Sequence, residues 1–111
     1  MHHRSLVARA GGLAAALAAA LTAPLALAQS EIRIAHVYSK TGPLEAYGKQ
    51  TQAGLMMGLD YATGGTMAVA GKKLVVIEKD DQGKPDLGKS LLATAYSDDK
   101  ADLAVGPSAS G

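Results

Sequence analysis

The feature that most constrains this fold is a regular alternation of short apolar segments with longer segments of helical periodicity. Residues 32–38, 73–78 and 102–106 are short and mostly apolar, as buried strands are. Residues 48–63 and 86–98 separate them, and their apolar side chains recur every three to four positions. We therefore predict the order strand, helix, strand, helix, strand. The expected fold class is α/β, a parallel sheet with helices on both faces.

The same order predicts where a binding site lies. Crossovers between parallel strands are right-handed, so if the first strand is central, the other two flank it and the two helices lie on opposite faces. The loops after the first and third strands then open into one crevice at a topological switch point. Residues 39–48 and 107–111 form these loops, so we expect them to meet in space.

Residues 48–63 combine an apolar stripe with two glycines. The stripe consists of Leu55, Leu59 and Ala62. Gly54 and Gly58 lie four residues apart on the same side of the predicted helix. Glycine costs about 1 kcal/mol in a helix relative to alanine, so we expect these two to allow close contact with the sheet.

The amino terminus predicts a secretory signal peptide over residues 1–28. A basic start precedes residues 10–28, which are uncharged and rich in alanine and leucine. Ala26 and Ala28 match the small-x-small cleavage pattern, so the mature chain would begin at Gln29. An uncleaved membrane anchor is the alternative, but Thr22 and Pro24 interrupt the uncharged run. We therefore expect export from the cytoplasm.

Composition excludes several classes of function. Arg4 and Arg9 belong to the predicted signal peptide, so the mature chain would have nine basic and ten acidic side chains. This balance provides too little positive charge for a surface that binds nucleic acid. The chain has no cysteine, so neither a disulfide framework nor a thiolate metal site can form. His36 would be the only histidine after cleavage, and a lone histidine in a strand is more often packed than a ligand. We expect no metal and no cofactor.

Two loops resemble catalytic or metal-binding motifs only superficially. Residues 42–51 fail as a phosphate-binding loop, because five residues separate Gly42 from Gly48 and Gln50 replaces the required hydroxyl. Asp80 and Asp81 could bind a hard cation, but a solvated, helix-capping loop is the favoured interpretation. No catalytic set of side chains can be assembled, so no catalytic residue is predicted.

The stronger signal is the loop at residues 107–111. Two serines and a glycine follow an apolar strand at the point where a helix would begin. Free backbone N–H groups and hydroxyls at such a place bind anions such as carboxylates. Serine is also a common helix N-cap, so the residues alone leave both interpretations open.

An ordered set of residues along residues 32–111 resembles one family. The set comprises residues 32–37, 41–44, 46–48, Gly54, residues 64–65, 73–74, 80–81, Pro85, 105–107 and 110–111. In this order they are similar to the start of the type I periplasmic solute-binding proteins of ABC importers, in the branched-chain amino-acid-binding branch. The resemblance implies two α/β lobes that close on a small ligand without catalysis. Residues 29–111 would then be an amino-terminal portion of the first lobe.

The resemblance also implies specific roles. Ser110 would meet the carboxylate of the ligand, Gly111 would lie beside it at a helix start, and Tyr47 would pack near the ligand side chain. The implied ligand is a small carboxylate-bearing molecule, such as a branched-chain or related amino acid. The implied partner is the membrane permease of the importer, and the implied location is the periplasm.

Two other functions stay open at this stage. An extracytoplasmic sensing domain of a receptor would use the same site but continue into a membrane span. A nucleotide- or phosphate-using enzyme on the same scaffold would need Walker or metal chemistry that residues 42–51 and 80–81 lack. The sequence that follows Gly111 would separate the first of these from an importer component.

Overall fold

The computed structural model describes residues 30–111, and the predicted signal peptide lies outside the described residues. Residues Glu31–Gly111 form one compact unit. Its elements, in chain order, are β1 (Glu31–Tyr38), α1 (Glu45–Ala62), β2 (Ala68–Val69), β3 (Lys72–Asp80), α2 (Pro85–Ser97) and β4 (Leu103–Val105).

The sheet has the strand order β2-β3-β1-β4. Strand β1 is parallel to β3 along its whole length and parallel to β4 over three residues, Ile34 to His36. This confirms the predicted central position of β1. Strand β2 was not among the three predicted strands. Strand β2 runs antiparallel to the start of β3 and has only two residues, too few to show a strand period.

The two helices lie on opposite faces of β1. His36 shares a hydrogen bond of 2.6 Å with Gln52 of α1, whereas Val37 borders a groove together with Gly88 and Leu92 of α2. Neighbouring strand residues point to opposite faces, so these contacts place α1 and α2 on different sides of the sheet. The predicted α/β fold class is therefore confirmed.

The core is centred on β1. The buried apolar side chains are Ile34, Ala35, Val37, Tyr38, Leu74 and Ala95. Leu55 and Leu59 of the predicted α1 stripe are half-buried, and Ala62 is exposed. Small units bury a smaller fraction of their surface than large ones, and this unit has few fully buried side chains.

Gly54 and Gly58 do not contact the sheet, which contradicts the expected close approach. A Cβ atom built on either residue meets no atom within 4 Å, apart from the backbone of the helix itself. Both lie on the exposed outer face of α1, near Met57 and Tyr61, which are 72% and 90% exposed. The half-buried Leu55 and Leu59 show that another side of the helix faces the sheet.

Candidate functional site at the carboxyl edge of the sheet

The loops after β1 and β4 meet at the carboxyl edge of the sheet. The backbone N–H of Ser39 donates a hydrogen bond of 3.1 Å to the Ser108 hydroxyl. Ser39 directly follows β1, and Ser108 lies three residues after the end of β4. This contact confirms the predicted juxtaposition of residues 39–48 and 107–111.

Asp81 joins a third loop to this edge. Its Oδ1 accepts hydrogen bonds from the Ser39 hydroxyl at 2.7 Å and from the Gly83 N–H at 2.9 Å. Ser39 is completely buried and Asp81 is 3% exposed, so the expected solvated loop is wrong at this position. The helix-capping role is also wrong, because α2 follows Lys84 and its start has no side-chain cap.

Asp80, the neighbouring aspartate, holds the first residues of the loop after β1 in place. Its carboxylate accepts hydrogen bonds from the N–H groups of Lys40 and Thr41 at 3.0 and 3.2 Å and from the Thr41 hydroxyl at 2.6 Å. Burial opposes ionisation, but the bonds from Thr41, Gln82 and Lys40 outweigh it and lower the pKa of Asp80. The two aspartates therefore contact different parts of the β1 loop.

Two glycines allow the backbones at this edge to pass very close to each other. A Cβ on Gly48 would lie 1.8 Å from the carbonyl oxygen of Ser39, and one on Gly106 would lie 1.8 Å from that of Val37. Gly106 also has a φ of 122°, a conformation that side chains disfavour. Gly48 was predicted to lie in the loop after β1, but its close approach to Ser39 was not predicted.

Beneath the edge, β1 places an aromatic pair against α1. His36 and Tyr38 stack with ring centroids 4.1 Å apart, and the Tyr38 hydroxyl donates a hydrogen bond to Glu78. Burial, then the hydrogen bond and charge of Glu78 and the charge of Asp80, raise the pKa of Tyr38. His36 is completely buried, which confirms its interpretation as a packed residue.

The three predicted ligand-binding residues, Tyr47, Ser110 and Gly111, are all exposed. Ser110 and Gly111 are exposed at the end of the β4 loop, and Gly111 borders a groove of about 410 Å³ between α2 and β4. Lys84 and Lys89 contribute positive charge to the groove, and Leu92 and Tyr96 contribute apolar surface. Tyr47 is 66% exposed on α1 and does not line this groove.

Ser39, Asp81 and Ser108 hold the edge together, a role that was not predicted for any of them. Each is polar and follows an apolar strand closely, which is the one sequence signal that could have indicated them. Within residues 30–111, no group of three or more potential ligands could hold a metal ion. Neither of the helices described here has the length and apolar character needed to cross a membrane.

Solved structures of transport proteins resemble this chain. An ABC transporter from Rhodopseudomonas palustris is 65% identical, with a TM-score of 0.71 over 72% of this chain and 24% of its own. An ABC-type branched-chain amino acid transporter from Rhodopseudomonas palustris CGA009 is also 65% identical, with a TM-score of 0.68 over 69% of this chain and 21% of its own.

A more distant structure has the same fold. The branched-chain amino acid transporter substrate binding protein LivJ from Streptococcus pneumoniae, in complex with isoleucine, is 26% identical. Its TM-score is 0.63, over 69% of this chain and 22% of its own. The chain thus spans about a fifth to a quarter of the length of these relatives. No curated protein matches it significantly.

The sequence profile described as periplasmic binding protein matches residues 31–111. The match includes every strand and helix described above. It confirms the resemblance inferred from the sequence, and the relatives named above are transport and substrate-binding proteins rather than enzymes. The chain belongs to the periplasmic binding protein family.

Proposed function

We propose that this chain is an amino-terminal portion of the first lobe of a solute-binding protein that serves an ABC importer. Its ligand is a small carboxylate-bearing molecule, such as a branched-chain or related amino acid. The observation that carries the proposal is the hydrogen bond between Ser39 and Ser108, which brings two loops together at the carboxyl ends of the parallel strands β1 and β4. Ligands of open α/β sheets bind at such edges. The names of the solved relatives support the class of ligand.

In this proposal, Ser110 and Gly111 bind the carboxylate. Both residues are exposed at the end of the β4 loop, so a ligand can approach the Ser110 hydroxyl and the backbone N–H groups beside it. Hydrogen bonds to a carboxylate are stronger than those between neutral groups. Tyr47 packs near the ligand side chain, and its ring is sufficiently exposed for that contact.

Partner and location follow from the same proposal. The protein would act in the periplasm and deliver its ligand to a membrane permease. Residues 1–28 would be removed as a signal peptide, and residues 29–111 would begin the first lobe. Amino-terminal sequencing of the exported protein is expected to start within about two residues of Gln29, because Ala26 and Ala28 fit the cleavage pattern.

Calorimetry on the full-length protein tests the proposed site. Replacing Ser110 with alanine is expected to weaken the binding of L-leucine, L-isoleucine or L-valine by about 1–3 kcal/mol, because a charge-assisted hydrogen bond is lost. Ser90→Ala is a matched control, since Ser90 is an exposed serine on α2 whose hydroxyl donates to the Asp86 carbonyl of its own helix. Unchanged affinity in the Ser110→Ala variant would show that Ser110 does not contact the ligand.

A further inference from the structure

A buried relay of hydrogen bonds runs across the carboxyl edge of the sheet. It begins at Asp81, whose Oδ1 accepts the Ser39 hydroxyl at 2.7 Å. It continues through the backbone N–H of Ser39, which donates to the Ser108 hydroxyl at 3.1 Å. Three loops that are distant in sequence, those after β3, β1 and β4, are thereby joined in series.

The inner members of this relay have little freedom to move. Ser39 is completely buried, and Asp81 is 3% exposed. The backbone N–H of Asp81 also donates to the Tyr38 carbonyl at 2.9 Å, and its Oδ1 accepts from Gly83 at 2.9 Å. On the side of α2, Asp81 lies close to Gly88, because a Cβ built on Gly88 would be in ordinary van der Waals contact with the Asp81 Cβ at 3.6 Å. Buried polar groups that lose a partner are costly, which keeps the relay intact.

The outer end of the relay leads to the proposed ligand residues. Ser108 is half-buried, and Ser110 and Gly111 follow it within three residues. Through Ser108, the relay ties this loop to the central strand. A displacement of Ser108 therefore displaces the hydroxyl of Ser110 and the N–H groups that face a ligand. Binding sites lose affinity when their groups are held loosely.

We propose that Asp81 and Ser39 are positioning residues that set the conformation of the loop at residues 107–111 for ligand binding. The inference rests on the proposed function for the role of that loop in binding. The effect on loop order is independent of any ligand. Neither residue touches the ligand in this proposal; both act through Ser108.

Asp80 provides a matched control within the same loop. It is also an aspartate at the end of β3, and it also binds the β1 loop. Its bonds go to Lys40, Thr41 and Gln82, and none reaches Ser108. An effect that is specific to the relay must therefore appear in variants of Asp81 and not in those of Asp80.

Hydrogen exchange in the full-length, ligand-free protein is the primary test. In Asp81→Ala, we expect amide exchange over residues 108–111 to accelerate about tenfold, in line with the loss of one hydrogen bond. Asp81→Asn retains an oxygen that accepts the same two bonds, so its exchange should stay within about threefold of the wild type. Asp80→Ala should accelerate exchange at Lys40 and Thr41 and leave residues 108–111 unchanged.

Binding of L-isoleucine is the second readout. We expect about tenfold weaker affinity in Asp81→Ala and recovery in Asp81→Asn. If Asp81→Ala does not fold, Ser39→Ala is used instead. It removes the same hydrogen bond between the two side chains and deletes only a hydroxyl group. Unchanged exchange at residues 108–111 in the folded variant, or equal acceleration in Asp80→Ala, would overturn the proposal. If the wild type binds no amino acid, the proposed function is refuted but the positioning role is not. Hydrogen exchange, which needs no ligand, still decides whether the relay orders the loop.

Discussion

The carboxyl edge of the sheet and the outer face of α1 both contain glycines, and their surroundings differ sharply. At the edge, a Cβ on Gly106 or Gly48 would lie 1.8 Å from a backbone oxygen. On α1, a Cβ on Gly54 or Gly58 would meet no atom within 4 Å beyond the helix backbone. The same residue type therefore creates room for backbone contact in one region and leaves an open surface in the other. Tests that contrast the two regions are the most informative.

The largest effect is expected at Gly106. Replacing it with alanine places a Cβ against the Val37 carbonyl at a φ of 122°. The strained conformation alone costs about 1–3 kcal/mol, and the overlap requires β4 to move away from β1. We expect the full-length variant to lose at least about 3 kcal/mol of unfolding free energy or to fail to fold. Denaturant unfolding measures this loss, and wild-type stability would show that the edge has room to relax.

An intermediate effect is expected at Tyr38, which lies where β1 meets the edge. Tyr38→Phe removes the hydrogen bond to Glu78 and is expected to cost about 0.5–1.5 kcal/mol. Tyr61→Phe is the control on α1, because Tyr61 is 90% exposed, and a change below about 0.5 kcal/mol is expected. Equal losses in the two variants would contradict the contrast between the regions.

The contribution of Tyr38 to the free energy of unfolding is expected to depend on pH, which makes this test more specific. The pKa of Tyr38 is raised in the folded protein, so the folded state holds the phenolic proton more tightly than the unfolded chain does. The stabilisation is therefore complete below the unfolded pKa of about 10 and declines as the pH rises through the raised value. The difference in stability between wild type and Tyr38→Phe should shrink above about pH 10.

The smallest effect is expected on α1. Gly54→Ala should stabilise the protein by about 0.5–1 kcal/mol, because alanine loses less backbone entropy in a helix and finds open space here. Thermal unfolding of the full-length variant measures this gain. Destabilisation instead would show that another part of the protein packs against α1 at Gly54.

The order of the elements and the position of the candidate site were predictable from the sequence. Apolar periodicity separated strands from helices, and with β1 at the centre, the right-handed crossover rule placed the two helices on opposite faces. These two arguments also predicted that the loops holding Ser39 and Ser108 meet, which the hydrogen bond between them confirms. Both rest on backbone geometry that is common to parallel sheets.

The side-chain details were not predictable. Burial of Asp81 depends on Ser39 and Gly83, and on an adjacent helix, so no local pattern around residues 80–81 indicates it. The open surroundings of Gly54 depend on how α1 is rotated about its axis, which a stripe of three apolar residues defines poorly. Strand β2 has only two residues and thus no period to detect.

The central position of β1 has a consequence for how the chain folds. Within residues 30–111, the first strand to be synthesised lies between the two strands that follow at a distance: Ile34 of β1 pairs with Val76 on one side and with Leu103 on the other. Such distant pairings close large loops before they gain contacts, which slows folding. The nascent chain therefore cannot pair β1 with β4 until residues 103–105 have emerged.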